Sequence, residues 1–193
     1  MKLTQKIHNQ AQKLLMGLSH TGFFRGGEFS ELSGKYFCDC SSYINSLIKL
    51  IDPLLYTELL NERERLRACD YFDLAKNKNS SIAYHQSIDK VVVGEILVWK
   101  KTNIPKSGDS GHMAIVLSVP EEIAEGRYKL LVSDCSKILH DMDSRVDGGV
   151  GSGVLTLLVD AKKCITGYIW SSERAKNKVT DVLCISFSDS KLK

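Results

Sequence analysis

Cys40 is the residue whose place in the sequence best suits nucleophilic chemistry. It follows Asp39 and precedes the stretch SSYINSLIKLI, in which apolar residues recur at helical spacing. The unpaired N–H groups and the dipole of a helix N-terminus stabilise a thiolate, and the backbone N–H of Cys40 would also be available to an oxyanion. The alternative is that the CDC sequence holds two inert, buried thiols.

His112 is the matching candidate for a general base. It follows a polar loop that contains glycine and stands at the head of the apolar segment MAIVLSV, which predicts a strand. An imidazole placed beside a thiol can take its proton and later return it to a leaving group. A histidine at a strand end is also often a surface or core residue, and His85 and His140 remain reserve candidates.

The elements that must position these residues are helices in the first part of the chain and strands in the second. Helical spacing predicts helices at residues 3–18, at 41–55 with an end or bend at Pro53, and at 58–76, while the glycine-containing segment 20–35 predicts a long loop. Segments rich in branched and aromatic residues predict strands at 91–98, 113–119, 128–132, 154–159, 165–170 and 182–187. This order predicts an α+β fold in which N-terminal helices pack on a mostly antiparallel β-sheet.

Length and composition predict one globular domain over residues 1–193. Hydrophobic residues make up 43% and charged residues 25% of the 193 positions, and a chain of this size buries roughly 70% of its unfolded surface without disulfides or metals. We expect an N-terminal helix and loop extension at 1–30, a core at about 31–190, free thiols at the six cysteines and no cofactor.

Charge and hydropathy exclude two classes of partner. The net charge is only +3, with Lys and Arg spread among Asp and Glu, so we expect no nucleic acid. Polar residues interrupt the N-terminal segment MKLTQKIHNQAQKLLMGL, which predicts neither a signal peptide nor a membrane span. The expected location is therefore the cytoplasm, or outside the cell after export by a signal-independent route. The oligomeric state stays open.

Taken together, the motifs resemble those of the NlpC/P60 family of cysteine peptidases, over approximately residues 35–187. DCSSYI is similar to the family's Asp-Cys-Ser-Gly nucleophile motif, and GEILVW followed by GHMAIVL is similar to its Gly-Asp and Gly-His strand motifs. Cys precedes His, as in the unpermuted members and not in the permuted lecithin retinol acyltransferase-like proteins. Ser42 replaces the usual glycine and Glu95 the usual aspartate.

The resemblance implies a papain-like fold and a set of site residues. The family's third polar residue comes from the strand after the histidine, here YKLLVSDCS, where Ser133, Asp134 and Cys135 compete. We choose Asp134, because an ionised carboxylate is the strongest partner for an imidazolium; the alternative is an Asp that caps the following turn. The residues implied to line the substrate groove are Tyr36, Asp39, Ser41, Ser42 and Gly111.

The resulting hypothesis is a thiol hydrolase that cleaves an amide bond through a thioester. The resemblance implies a cell-wall stem peptide, typically cut beside a D-glutamyl unit. A deamidase or acyltransferase acting on a protein or lipid, and a non-catalytic binding module, are the alternatives. We expect no metal site: in DMDSRVDG, which superficially matches a calcium loop, Arg145 occupies a ligand position.

Overall fold

The computed structural model describes residues 1–27, 29–30 and 33–188, and this part of the chain forms four helices and two β-sheets. The helices are α1 (Leu3–Met16), α2 (Cys40–Ile51), α3 (Pro53–Leu60) and α4 (Ala68–Lys76). The strands are β1 (His20–Phe23), β2 (Phe29–Ser30), β3 (Lys35–Cys38), β4 (Ile82–His85), β5 (Ile96–Lys100), β6 (Gly111–Val116), β7 (Glu121–Ala124), β8 (Arg127–Ser136), β9 (Gly149–Val159), β10 (Ile165–Ile169), β11 (Lys178–Val179) and β12 (Leu183–Phe187). The predicted core boundaries at 31 and 190 lie outside the described residues.

The larger sheet runs in the order β11-β10-β9-β8-β6-β5-β12-β4, and β7 pairs with β8. All of its paired strands are antiparallel. In the smaller sheet, β3 pairs in parallel with β1 and antiparallel with β2. The predicted α+β class with a mostly antiparallel sheet is thus confirmed.

One apolar core packs on each face of the larger sheet, and alternate side chains of β6 contribute to both cores. Met113 and Ile115 join the core that contains the buried faces of the helices, whereas Ala114 and Val116 join a second core on the opposite face. His112 lies two residues before Ala114, so its side chain is on the same face of β6, away from the helix layer. Among the described helices, none has the length and apolar character needed to cross a membrane.

The predicted helices are correct in place but not in extent. The second helix ends at Ile51, just before Pro53, as expected. Asp52 then caps α3, since its side chain accepts the Leu55 N–H at 3.0 Å. The predicted helix 58–76 is wrong: it breaks after Leu60 at Asn61, which adopts left-handed backbone with φ 39°, and resumes at Ala68. The charged run at 62–67 lies between the two helices.

Several short strands and one cysteine differ from the prediction. The segment 20–35 holds β1 and β2 rather than a continuous loop, and β4 and β7 were not predicted. Strands of two to four residues are too short for alternation to mark them. The apolar neighbours of Cys164 and Cys184 predict two small buried side chains; Cys184 is buried, but Cys164 is exposed, so the prediction for Cys164 is wrong.

Candidate active site

Cys40 is the first residue of α2 and is 9% exposed. Asp39 caps the helix: its Oδ1 accepts the Ser42 N–H at 2.8 Å and the Ser41 hydroxyl at 2.9 Å. The N–H of a first-turn residue has no acceptor inside its own helix. The thiol therefore stands at a helix N-terminus, beside a backbone donor that is free of the helix ladder.

The Asp39 carboxylate is held by an arginine on its other side. Its Oδ2 accepts the Gly26 N–H and the Arg65 Nη1–H, both at 2.9 Å. Burial raises the pKa of Asp39, but the backbone hydrogen bonds and the Arg65 charge outweigh burial and lower it overall. Asp39 is thus an ionised cap whose charge is balanced by Arg65, so it does little to oppose a thiolate at Cys40.

His112 lies in the same cleft as Cys40 and is held by Asp134. Its Nε2 lies 2.6 Å from Asp134 Oδ2, which leaves Nδ1 as the ring nitrogen available to the Cys40 side of the cleft. Burial lowers the pKa of His112, but the negative charge of Cys40 and the hydrogen bond to Asp134 outweigh it and raise the pKa to about 10. The imidazole is therefore protonated more readily than a free histidine.

Asp134 is fully buried and accepts two further donors. His140 Nε2 lies 2.9 Å from the same Oδ2, and Arg145 Nη1 lies 2.9 Å from Oδ1. Arg145 is fixed in turn by Asp143, at 2.7 and 2.8 Å. Burial raises the pKa of Asp134, but the histidine charges and hydrogen bonds hold it far below its usual range. The carboxylate therefore stays ionised beneath His112.

The register of β8 separates the three competing residues. Ser133 Oγ lies 2.9 Å from the hydroxyl of Tyr43 in α2, and the Cys135 thiol donates to the backbone oxygen of Cys38 at 2.9 Å. Both side chains point into the helix layer, and alternation sends Asp134 to the other face, where His112 lies. Of these three, Asp134 is the one that contacts the imidazole.

The cleft above Cys40 and His112 has a volume of about 940 Å³ and one aromatic wall. The Trp99 and Trp170 rings lie 5.2 and 5.0 Å from the His112 ring, measured between centroids. Tyr168 extends the wall at 4.4 Å from Trp99. Trp170 also stacks on His140 at 4.3 Å, so one indole packs against both histidines that share Asp134.

The rest of the cleft is predominantly cationic. Among the described residues, its cationic lining side chains are Arg25, Arg65, Lys100, Lys101, Lys137, Arg174, Lys176 and Lys178, against three carboxylates, Asp39, Asp109 and Glu173. Arg65 pairs with Asp39 and Lys101 with Asp109. Because cations outnumber carboxylates, the positive charge left over favours an anionic ligand.

The predicted groove residues divide between the cleft and the protein interior. Ser41 and Gly111 line the cleft, as does Asp39. Ser42 is turned away from it and accepts a hydrogen bond from Arg65 at 3.0 Å. Tyr36 is 1% exposed within the helix-side core, so its ring supports the fold and does not line the groove.

Sequence reasoning missed most of the residues around the predicted three. His140 was only a reserve candidate, and Arg145 was considered only as an argument against calcium. Trp170 ends a predicted strand, and nothing in its local pattern distinguishes it from a core aromatic. No pattern identified His140 or Arg145, because both follow Asp134 within a turn-rich segment that shows no periodicity.

Comparison with known proteins adds one relative. No family model matches the chain. It is similar to an uncharacterized protein of Acanthamoeba polyphaga mimivirus, with 25% identity over 155 residues that cover 69% of this chain and 68% of that protein. No solved structure matches. These comparisons assign neither a family nor an activity, so the geometry of the site is the basis for a functional proposal.

Proposed function

We propose that the protein is a cysteine hydrolase that cleaves an amide bond through a thioester intermediate, with the papain-like arrangement of the NlpC/P60 peptidases. The observation that carries the proposal is that Cys40 and His112 line one cleft and that His112 is hydrogen-bonded to Asp134. Nucleophile, base and orienting carboxylate in hydrogen-bond sequence are the recurring requirement of thiol hydrolysis. The order of these residues along the chain also agrees with the family's motifs.

In the proposed reaction, Cys40 is the nucleophile, His112 is the acid and base, and Asp134 orients His112. The Cys40 thiolate attacks the carbonyl carbon, and its backbone N–H stabilises the oxyanion. The His112 imidazolium then gives its proton to the leaving amine, which breaks the C–N bond and leaves a thioester. Water, deprotonated by His112, hydrolyses the thioester and regenerates the thiolate. Asp134 fixes the ring throughout, with Nδ1 toward the sulfur.

The proposed substrate is a peptidoglycan-type stem peptide. Such peptides carry free carboxylates, and the cleft presents an excess of Lys and Arg. Trp99, Tyr168 and Trp170 supply a rigid apolar wall beside the reacting atoms. Cationic groups for carboxylates and a flat surface for the peptide backbone suit an acidic peptide better than a lipid chain.

The test is incubation of the purified chain with defined stem-peptide fragments, followed by mass spectrometry of the products. We expect cleavage at one amide bond, with Cys38→Ala active and Cys40→Ala inactive. Release of ammonia, or transfer of the acyl group to an added amine, would indicate the deamidase or acyltransferase alternative. Intact peptides together with no acyl adduct on Cys40, or full turnover by Cys40→Ala, would refute the proposal.

A further inference from the structure

Three metal-ligating side chains converge on the far end of the large sheet, away from the residues that line the cleft. They are His85 at the end of β4, Glu95 just before β5 and Cys184 in β12. One ligand atom from each lies within 4.8 Å of the other two. The topology brings them together, because β12 lies between β4 and β5 and pairs His85 directly with Cys184.

The cluster is enclosed but not sealed. Cys184 is 0% and Glu95 5% exposed, while the His85 side chain is 20% exposed. His85 Nε2 lies 3.1 Å from Glu95 Oε1, and the Val92 N–H donates to Glu95 Oε2 at 3.0 Å. His85 Nδ1 is buried and has no hydrogen-bond partner. A buried polar atom without a partner is costly, and it marks this histidine as incompletely satisfied by protein groups.

The donor set matches zinc. Thiolate, imidazole and carboxylate are the three ligand types that Zn²⁺ binds in proteins, at about 2.0–2.3 Å, which places tetrahedral ligands roughly 3.3–3.8 Å apart. The spacing in this cluster, from 3.1 Å between His85 and Glu95 to within 4.8 Å overall, needs only small side-chain rotations. Calcium and magnesium prefer sites made of oxygen ligands.

We propose that His85, Glu95 and Cys184 bind one zinc ion, with a water molecule from the exposed side of His85 as the fourth ligand. On binding, the Cys184 S–H bond breaks, the sulfur–zinc bond forms and the proton passes to solvent. The ion would hold β4, at the edge of the sheet, to β12 and β5. The proposal differs from the expectation of no metal site. The sequence carries no signal for it, because Glu95 lies 10 positions after His85 and Cys184 another 89 positions on, a spacing unlike compact zinc motifs.

The experiment uses the full chain carrying Cys40→Ala, since the thiol of Cys40 beside His112 is a second place where zinc could bind. The metal-free protein is titrated with Zn²⁺ by calorimetry and with Co²⁺ by absorption. We expect one metal per chain, a thiolate-to-cobalt charge-transfer band, and a higher melting temperature with zinc. No binding beyond a fraction of an equivalent would overturn the proposal.

Variants assign the site. In the same background, Cys184→Ala should abolish the charge-transfer band, and both Cys184→Ala and His85→Gln should weaken zinc binding by more than roughly 100-fold, the upper end of what outer-shell changes cost. The matched controls, Cys164→Ala and His20→Gln, replace exposed residues and should bind as the parent does. Circular dichroism verifies folding, and His85→Gln, on an edge strand, serves if Cys184→Ala is unstable. Equal zinc affinity in ligand and control variants would overturn the assignment.

Discussion

Asp134 accepts the Nε2–H of His112 at 2.6 Å from a position with no exposed surface. A buried carboxylate is costly unless it is fully hydrogen-bonded, and here His140 and Arg145 supply the remaining donors. The contact therefore belongs to a network that keeps Asp134 charged and fixes the direction of the His112 ring. Predictions about catalysis and about stability both follow from this network.

The first prediction concerns the charge of Asp134. Asp134→Asn keeps the approximate shape but removes the carboxylate that stabilises the imidazolium of His112, so turnover should fall by roughly 10²–10⁴-fold. Because the asparagine side chain lies outside the cleft lining, KM should change little. Steady-state kinetics on the peptide cleaved by the parent protein provide the measurement.

The matched control for Asp134→Asn is its neighbour on the strand. Ser133→Ala removes the hydrogen bond to the buried Tyr43 hydroxyl, which costs about 1–3 kcal/mol of stability, and should leave turnover near the parent value. If Ser133→Ala abolished activity while Asp134→Asn kept it, the described register of β8 could not be the active one.

The second prediction is a loss of stability in acid. The pKa of Asp134 is held below its unfolded value, so its contribution is fully present above about pH 4 and is lost as pH falls from there toward its folded pKa. Below pH 4 the Asp134 carboxyl is protonated in the unfolded chain but stays ionised in the folded protein. Urea unfolding between pH 7 and 2 should therefore show a falling free energy of unfolding.

Substitution of Asp134 measures how much of this loss of stability in acid, the acid limb of the pH profile, comes from its carboxylate. Asp134→Asn, although less stable at pH 7, should lose less further stability between pH 4 and 2 than the parent loses. Glu125→Gln, at an exposed position of the turn between β7 and β8, should leave the limb unchanged. Parallel acid limbs for Asp134→Asn and the parent would contradict the ionised state of Asp134.

The third prediction concerns Gly111, which precedes His112. Its φ is +143°, and a Cβ atom there would lie 2.1 Å from the backbone oxygen of Trp99. Gly111→Ala should cost about 1–3 kcal/mol and displace the start of β6. In Gly17→Ala the new Cβ would meet its nearest atom at 3.6 Å, so this control should change stability by less than about 1 kcal/mol. Urea melts compare the two, and equal losses would contradict the backbone described at Gly111.

Local pattern made Cys40 and His112 candidates, through the start of an amphipathic helix and the head of an apolar strand. Asp134 was chosen on the strand that the family resemblance implies, and the structure places its carboxylate against His112. The same rules predicted the α+β class, since helical and alternating periodicities are properties of neighbouring residues.

What the sequence could not predict depends on contacts between distant segments. Trp170 meets His140 and His112 because β10 lies two strands from β8 in the folded sheet, and His85 meets Cys184 across 99 positions of chain. The break after Leu60 was missed for a different reason: the charged residues that follow are all good helix formers, and two consecutive left-handed residues, Asn61 and Glu62, override them.

The fourth prediction concerns the charge of the cleft. Lys176 is exposed and lines the cleft, so Lys176→Glu should raise KM for the acidic peptide by about fivefold, roughly 1 kcal/mol, and leave kcat unchanged. The difference should shrink in about 1 M salt, where charges are screened beyond roughly 3 Å. Lys162→Glu, at an exposed turn outside the cleft lining, is the control. Equal KM values for both variants would argue against an anionic substrate.

The measurement that tests the central claim most directly is the rate of alkylation of Cys40 by iodoacetamide, resolved by mass spectrometry and compared with the exposed Cys164. Because Cys40 stands at a helix N-terminus in the same cleft as His112, it should be alkylated faster than Cys164 at pH 6 as well as at pH 8. In His112→Ala, Cys40 should lose this advantage. If Cys40 reacts more slowly than Cys164 at pH 6, or is unaffected by His112→Ala, then Cys40 is not an activated nucleophile and the protein is not the thiol hydrolase proposed.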